Sequence, residues 1–333
     1  MKTKSRRWII SLLAAIMTGL IILNVLAYNH AYAMLHFTRG GSRTEKPEIL
    51  TSGQKFKVLL VGVNVPRPHS ERQPSDLAEQ CRSLSIPSPD GVRLGAWYVD
   101  QGRQTPLVML FHGYGAEKSS LLPEARIFLE LGASVLLIDF RGSGDSSDAY
   151  TTIGFREADD VATLVRYAQR ALPHSRVILY GQSMGAVAIL RAIPQNGITP
   201  DAVIVEAVFD TMLNTVRHRF EAMGVPSFPS AELLLFWGGY RMGFNAFAHK
   251  PVVYAEAVTC PALFMHGVDD PRARVEEGRR VCDAVPGPKQ FKTFAFTGHE
   301  AYASRFPAEW TATVEEFMKM ADDQHDRANT AGK

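Results

Sequence analysis

Gly181-Gln182-Ser183-Met184-Gly185 constrains this chain more than any other stretch of it. An apolar run, Arg176-Val177-Ile178-Leu179-Tyr180, leads into the pentapeptide, and a helix-like run from Ala186 to Ile193 leads out. Strand, tight turn, helix is the setting in which G-x-S-x-G presents its serine as a nucleophile. The turn forces residue 183 into a strained backbone conformation, and only glycine avoids a Cβ clash on either side. The Ser183 hydroxyl is then held above a sheet edge, with the N–H of Met184 pointing the same way at a helix start.

The neighbouring sequence supplies the sheet. Arg82 to Ile86 and Val92 to Val99 read as two strands joined through Pro87-Ser88-Pro89-Asp90-Gly91, a turn-rich sequence. Leu107 to Phe111 and Ser134 to Phe140 follow as short apolar strands, separated by a helical stretch over about 121–131. Phe155 to Ala171 is helical, with Val161, Leu164, Val165 and Ala168 on one face. Val177 to Tyr180, Ala202 to Glu206, Ala262 to His266 and Gln290 to Phe296 complete the strands. Continuous apolar strands alternating with amphipathic helices predict an α/β fold, a mainly parallel doubly wound sheet, with the early hairpin as an antiparallel edge.

The N-terminus differs in kind. Lys2, Lys4, Arg6 and Arg7 precede an uncharged run from Trp8 to Ala27, in which only Ser11, Thr18 and Asn24 are polar. As a helix those 20 residues reach about 30 Å, the thickness of a bilayer's hydrocarbon core. The basic cluster should stay cytoplasmic and send the rest of the chain across the membrane. An uncleaved signal anchor is favoured; a secretory signal peptide cleaved near Ala31-Tyr32-Ala33 is the alternative. The expected division is residues 1–37 as basic segment and anchor, 38–55 as a tether, 56–320 as the catalytic domain and 321–333 as a polar tail. Phe56 to Val65 reads as a β-branched run that ends at Pro66-Arg67-Pro68.

A formal net charge of +2 offers nothing to a nucleic-acid backbone, so that partner is excluded. Cys81, Cys260 and Cys282 have no metal-ligand or redox spacing, so no metal or cofactor is expected. They read as buried thiols, with Cys260–Cys282 as the one bridge worth considering.

In open α/β sheets reactive groups gather beyond the carboxyl ends of strands. After Leu107–Phe111 comes His112-Gly113-Tyr114-Gly115, whose glycines let the backbone approach a substrate. There the N–H of Tyr114 can pair with that of Met184 as an oxyanion hole, with His112 in support. Arg141-Gly142-Ser143-Gly144-Asp145-Ser146 lacks the third glycine of a dinucleotide site and reads as a tight loop flanking the site. After Ala262–Met265 come Asp269 and Asp270, either of which could orient a histidine. His299, late in the chain and directly after a strand, is the expected base. The chain order Ser183, acid, His299 is one of three recurring triad orders.

These residues together resemble the α/β-hydrolase superfamily of serine hydrolases over roughly 90–320, and more narrowly its small-lid members of the serine aminopeptidase or lysophospholipase-like type. The resemblance rests on the 112–115 loop, on Asp139 to Ser146, on the elbow, on Gly267-Val268-Asp269-Asp270 and on Gly298-His299. It implies Asp270 as the acid, since the superfamily commonly places it third after the strand-end glycine. Some members place the acid after the preceding strand, where this chain has Glu206 and Asp210. The implied activity is ester hydrolysis through an acyl-enzyme on a small-molecule ester or acyl substrate. A peptidase or amidase with the same triad is one alternative, and a non-catalytic membrane scaffold is another. An insert at about 211–253 is rich in bulky apolar groups. It could be lid helices packing on the core, a substrate wall over Ser183 that includes Phe236 and Trp237, or a surface dipping into the membrane.

Overall fold

The computed structural model describes the backbone of residues 2–331 and the side chains of residues 6–324. The Lys2 and Lys4 side chains and the end of the expected polar tail lie outside the described residues. The chain begins with helix α1 (Lys2–Leu35) and helix α2 (Ser52–Val61). Strands β1 (Arg82–Pro87), β2 (Arg93–Val99) and β3 (Leu107–Phe111) follow, then α3 (Leu122–Glu130) and β4 (Ser134–Ile138). Next come α4 (Glu157–Ala171), β5 (Val177–Gln182), α5 (Met184–Asn196) and β6 (Ala202–Glu206). The insert holds α6 (Met212–Met223), α7 (Ser230–Met242) and the short α8 (Pro251–Tyr254). After it run β7 (Ala262–Gly267), α9 (Val275–Ala284), β8 (Lys289–Phe294), α10 (Tyr302–Arg305) and α11 (Pro307–Ala331).

The eight strands form one sheet in the order β1-β2-β4-β3-β5-β6-β7-β8. β1 and β2 make the antiparallel edge, and β3 to β8 are parallel to one another. Side chains alternate across the sheet with the period of two that pleating imposes. Met109, Leu136, Leu179 and Val203 enter the core on the side of α4 and α5, together with Val161, Leu164, Val187 and Leu190. Leu110, Leu137, Tyr180 and Ile204 enter the opposite core with Phe128, Trp310 and Phe317 of α3 and α11. Each fully buried Leu, Ile, Val or Phe contributes about 1.5–3 kcal/mol relative to exposure, so burial on both faces fixes the sheet's position.

One stretch departs from its sequence reading. The β-branched run from Phe56 does not extend; it continues a helix that begins at Ser52. Thr51 and Gln54 form a capping box at its start, and Gly62 ends it at φ +93°. Those end signals outweigh the weak β preference of Val58 and Val61, because a cap satisfies N–H groups that a short helix otherwise leaves orphaned. The stretch expected as a tether lies against the body: Thr38 bridges Pro66, and the Thr44 N–H donates to the Asn64 carbonyl.

α1 is long and apolar enough from Arg6 to Leu35 to cross a membrane, by length and composition. Its first two-thirds stand clear of the body. Its last turns pack onto α7, with Ala27, Ala31 and Leu35 buried.

Candidate active site

β5 and α5 meet at Ser183, which adopts φ +50° and ψ −107°. A Cβ on Gly181 would come within 2.6 Å of the Gly185 backbone, and one on Gly185 would overlap the Phe111 carbonyl. Both glycines are therefore required by close approach, the first inside the turn and the second where α5 crosses the end of β3. The Ser183 N–H donates to the Glu206 carbonyl at 2.8 Å, which ties the strained residue to β6. Met184 is the first residue of α5, so its N–H belongs to the first-turn donors for which no helical carbonyl exists.

His299 stands beyond β8, with Nε2 3.1 Å from Ser183 Oγ and Nδ1 2.7 Å from Asp270 Oδ2. Asp270 is buried in the turn after β7, whereas Asp269 is exposed. The other carboxylate oxygen of Asp270 accepts the N–H groups of Arg272 at 2.8 Å and Ala273 at 3.0 Å. Burial pushes this carboxyl up, but the hydrogen bond and charge of His299 and the two N–H donors outweigh it and hold it below the ordinary carboxylate range. An ionised Asp270 can only accept, so Nδ1 carries a proton and Nε2 is the nitrogen that faces the serine hydroxyl.

Neither alternative acid reaches His299 in this arrangement. Glu206 is wholly buried and accepts Trp310 Nε1–H at 2.5 Å. Asp210 binds Arg280 at 2.7 Å and the Asn214 amide at 3.0 Å.

Tyr114 follows β3, and its hydroxyl donates to the Met34 carbonyl of α1 at 2.6 Å. Arg43 donates to the Gly115 carbonyl at 2.5 Å on the same loop. His112 lies beneath: its Nε2 must accept, because its partner at 3.1 Å is the Phe140 N–H, so Nδ1 is the donor to the Gly113 carbonyl at 2.8 Å. Burial keeps this imidazole neutral by lowering its pKa. The loop from 141 to 146 is knit together from within. Asp139 binds Lys118 Nζ at 2.6 Å and the Asp145 N–H at 2.8 Å, and Ser146 Oγ–H donates to the Asp139 carbonyl at 2.6 Å. That network positions the loop and leaves none of its glycine turn for phosphate.

Beside the Tyr114 loop is an apolar pocket with about 410 Å³ of empty space, mouth included. Leu234, Leu235 and Gly238 of α7, Met212 and Val216 of α6, Ile153, and Met34 and Ala31 of α1 line it. Phe236 and Trp237 do not. They occupy the other face of α7, where Trp237 Nε1–H donates to Asn24 of α1 at 3.2 Å and packs edge-on against Tyr28, while Phe236 is half exposed. The insert does face the pocket, mostly through small and aliphatic residues, with Phe244 as the aromatic one among them.

Three contributors to this region were missed in the sequence. Glu157 accepts from the hydroxyls of Thr151 and Thr152 and from the N–H groups of Thr152 and Gly154, at 2.6–2.9 Å. Those bonds and the N–H of buried His249, donated to the Ile153 carbonyl at 3.1 Å, hold Ile153 at φ +54°, unusual for a β-branched residue. Thr151 Oγ1 also contacts Met184 Sδ at 3.3 Å. The third is the end of α1, whose Ala27, Ala31 and Leu35 share one face at four-residue spacing. The stripe is short and follows a long apolar run, so it did not stand out in the sequence.

Residues 102–218 match the family model of the serine aminopeptidase S33 hydrolases. The chain is 27% identical to the Bacillus subtilis protein YqkD over 72% of its own length and 79% of that protein's. It is 23% identical to the lysophosphatidylserine lipase ABHD12 of Danio rerio, covering 73% of this chain and 69% of that one. Its fold is that of the Pyrococcus furiosus esterase Pf2001, at a TM-score of 0.65 and 24% identity over 77% of this chain and 97% of the esterase. The mostly parallel sheet with its flanking helices is the α/β-hydrolase fold, and the proteins it is similar to include esterases and lipases.

Proposed function

We propose that this protein is a serine hydrolase that cleaves carboxylic esters at Ser183, held in a membrane by its N-terminal helix. In this reading residues 1–37 anchor the chain, 56–320 form the hydrolase and 211–253 its lid. Arg6 and Arg7 ahead of the apolar run support a hydrolase on the extracytoplasmic side. The observation that carries the proposal is the unbroken path from Asp270 through His299 to Ser183, at 2.7 and 3.1 Å.

His299 Nε2 takes the Ser183 proton as Oγ attacks the ester carbonyl, and ionised Asp270 stabilises the imidazolium that forms. The N–H groups of Tyr114 and Met184 receive the oxyanion. His299 then gives its proton to the departing alkoxide, leaving an acyl-enzyme on Ser183. Water attacks the acyl carbonyl as His299 accepts its proton, and return of that proton to Oγ frees the carboxylic acid.

Purified full-length protein, tested with matched p-nitrophenyl esters and p-nitroanilides, should turn over the esters. Ser183→Ala should abolish that turnover, and ester hydrolysis unaffected by the substitution would overturn the proposal. The serine aminopeptidase description of the matched family favours a second reading, an amidase or peptidase with the same residues. Faster release from the anilides than from the esters would select it.

A further inference from the structure

We infer that the end of the N-terminal helix is a working wall of the substrate site, and that the pocket it closes holds the acyl chain of a membrane-resident ester. This inference rests on the ester-hydrolase reading above and specifies its substrate class and the fate of the helix.

Three segments distant in sequence converge on the pocket: the last turns of α1, the loop through Ile153, and helices α6 and α7. The lining offers a ligand almost nothing polar. Its one hydroxyl, on Thr152, is already donated to Glu157 at 2.6 Å. A polar or charged group placed there would lose its water without gaining a partner, whereas a hydrocarbon chain would gain burial. The space is a narrow cleft open at its mouth rather than a closed cavity, and it suits one chain better than several.

The pocket is coupled to the reacting groups at two points. The Met34 carbonyl holds the Tyr114 hydroxyl, and Tyr114 supplies one of the two proposed oxyanion donors. Thr151, two residues before Ile153, touches Met184, which supplies the other.

α1 is fastened to this region by main-chain hydrogen bonds as well as by packing. The Leu35 carbonyl accepts the Thr151 N–H at 2.9 Å, and the Phe37 N–H donates to the Ala149 carbonyl at 2.8 Å. The same helix runs on, outside the body, as the segment able to span a bilayer. Tyr28, Tyr32, Trp237 and Arg241 cluster where it leaves the body, the residue types that settle at a membrane surface. A chain held there meets its substrate's acyl group at the depth where the pocket is built. Cleavage after Ala33 would remove Ala31 and sever the helix beside Met34, so the helix must stay attached.

The test uses the full chain, extracted in mild detergent, and p-nitrophenyl acetate, octanoate and dodecanoate. Ala31→Leu fills the pocket from the α1 side, Met34→Ala enlarges it, and Leu12→Phe alters the helix far from the body. Ala31→Leu should lower the ratio of kcat/KM for dodecanoate to that for acetate by about tenfold or more, the scale at which a pocket discriminates chain size. Met34→Ala should shift preference toward the longer esters, and Leu12→Phe should change nothing. Intact-mass measurement of membrane-extracted protein should return the uncleaved chain.

Unchanged chain-length profiles in both pocket variants, or a mature protein beginning near residue 34, would overturn the inference. Should Ala31→Leu not fold, Met34→Ala decides alone. If wild type cleaves acetate through Ser183 and only the profiles fail to respond, this inference falls and the ester-hydrolase reading stands. If wild type cleaves none of the esters, that reading is what fails.

Discussion

Ser183, Asp270 and His299 sit on a rim held by backbone strain and directional hydrogen bonds, whereas the wall of the apolar pocket is held by packing of α1, α6 and α7. On the rim each side chain has one geometry: φ at Ser183 is positive, and both carboxylate oxygens of Asp270 are engaged. On the wall, Ala31, Leu234 and Val216 meet through dispersion contacts that several residue types could make. The rim should therefore be intolerant of substitution and indifferent to substrate length, and the wall the reverse.

The strongest challenge to that contrast is Ser183→Ala, expected to lower kcat about 10⁶-fold with the fold intact by circular dichroism. Residual turnover near wild type would dissolve the distinction. Asp270→Asn is expected to cost about 10⁴-fold in kcat, because an amide facing His299 favours the wrong tautomer. A loss of only a few fold would mean that another group orients the imidazole. Tyr114→Phe probes the junction of the two regions: it keeps the backbone N–H but releases the Met34 carbonyl. A loss of about fivefold in kcat/KM is expected, matching one hydrogen bond of ~1 kcal/mol, and unchanged kinetics would separate wall from rim.

The smallest effect concerns stability. Burial raises the Glu206 carboxyl to about 8, with repulsion from Glu124 adding to it, and burial alone brings Glu124 to about 7. Folded-state values above the unfolded value of about 4.3 give stability that is complete below that pH and lost as pH rises toward 8. Glu206→Gln keeps an acceptor for Trp310 and should flatten the fall in Tm between pH 5 and pH 8.5 by a few degrees. Parallel melting curves for variant and wild type would contradict it. Asp270 has the opposite sign: its depressed pKa stabilises the fold above the unfolded value of about 3.9, and that contribution disappears in acid.

The same contrast explains what was legible in the sequence. A nucleophile turn admits few residues at its flanks, so Gly181 and Gly185 announce it, and apolar strands at regular intervals announce the sheet. The structure brings Ser183, Asp270 and His299 together beyond the ends of β5, β7 and β8, where strand-end reasoning looked for reactive groups. The wall left no such mark. Phe236 and Trp237 drew attention by size, yet the pocket is lined by Leu235 and Gly238 beside them, since a cavity needs small or flexible neighbours as much as bulky ones. The stripe of α1 that meets protein is only three residues long and follows a long run with no polar face, so it did not stand out from the segment suited to lipid. The helix at Ser52–Val61 was hidden by β-branched residues although Thr51, Gln54 and Gly62 marked its ends.

The central claim is most directly tested by a fluorophosphonate probe, which phosphonylates a serine only where a neighbouring base has made it nucleophilic. On the membrane-extracted full chain, peptide mapping should find the adduct on Ser183 and nowhere else, with none formed by Ser183→Ala. An adduct on a different serine, or labelling of Ser183→Ala as complete as that of wild type, would contradict the account.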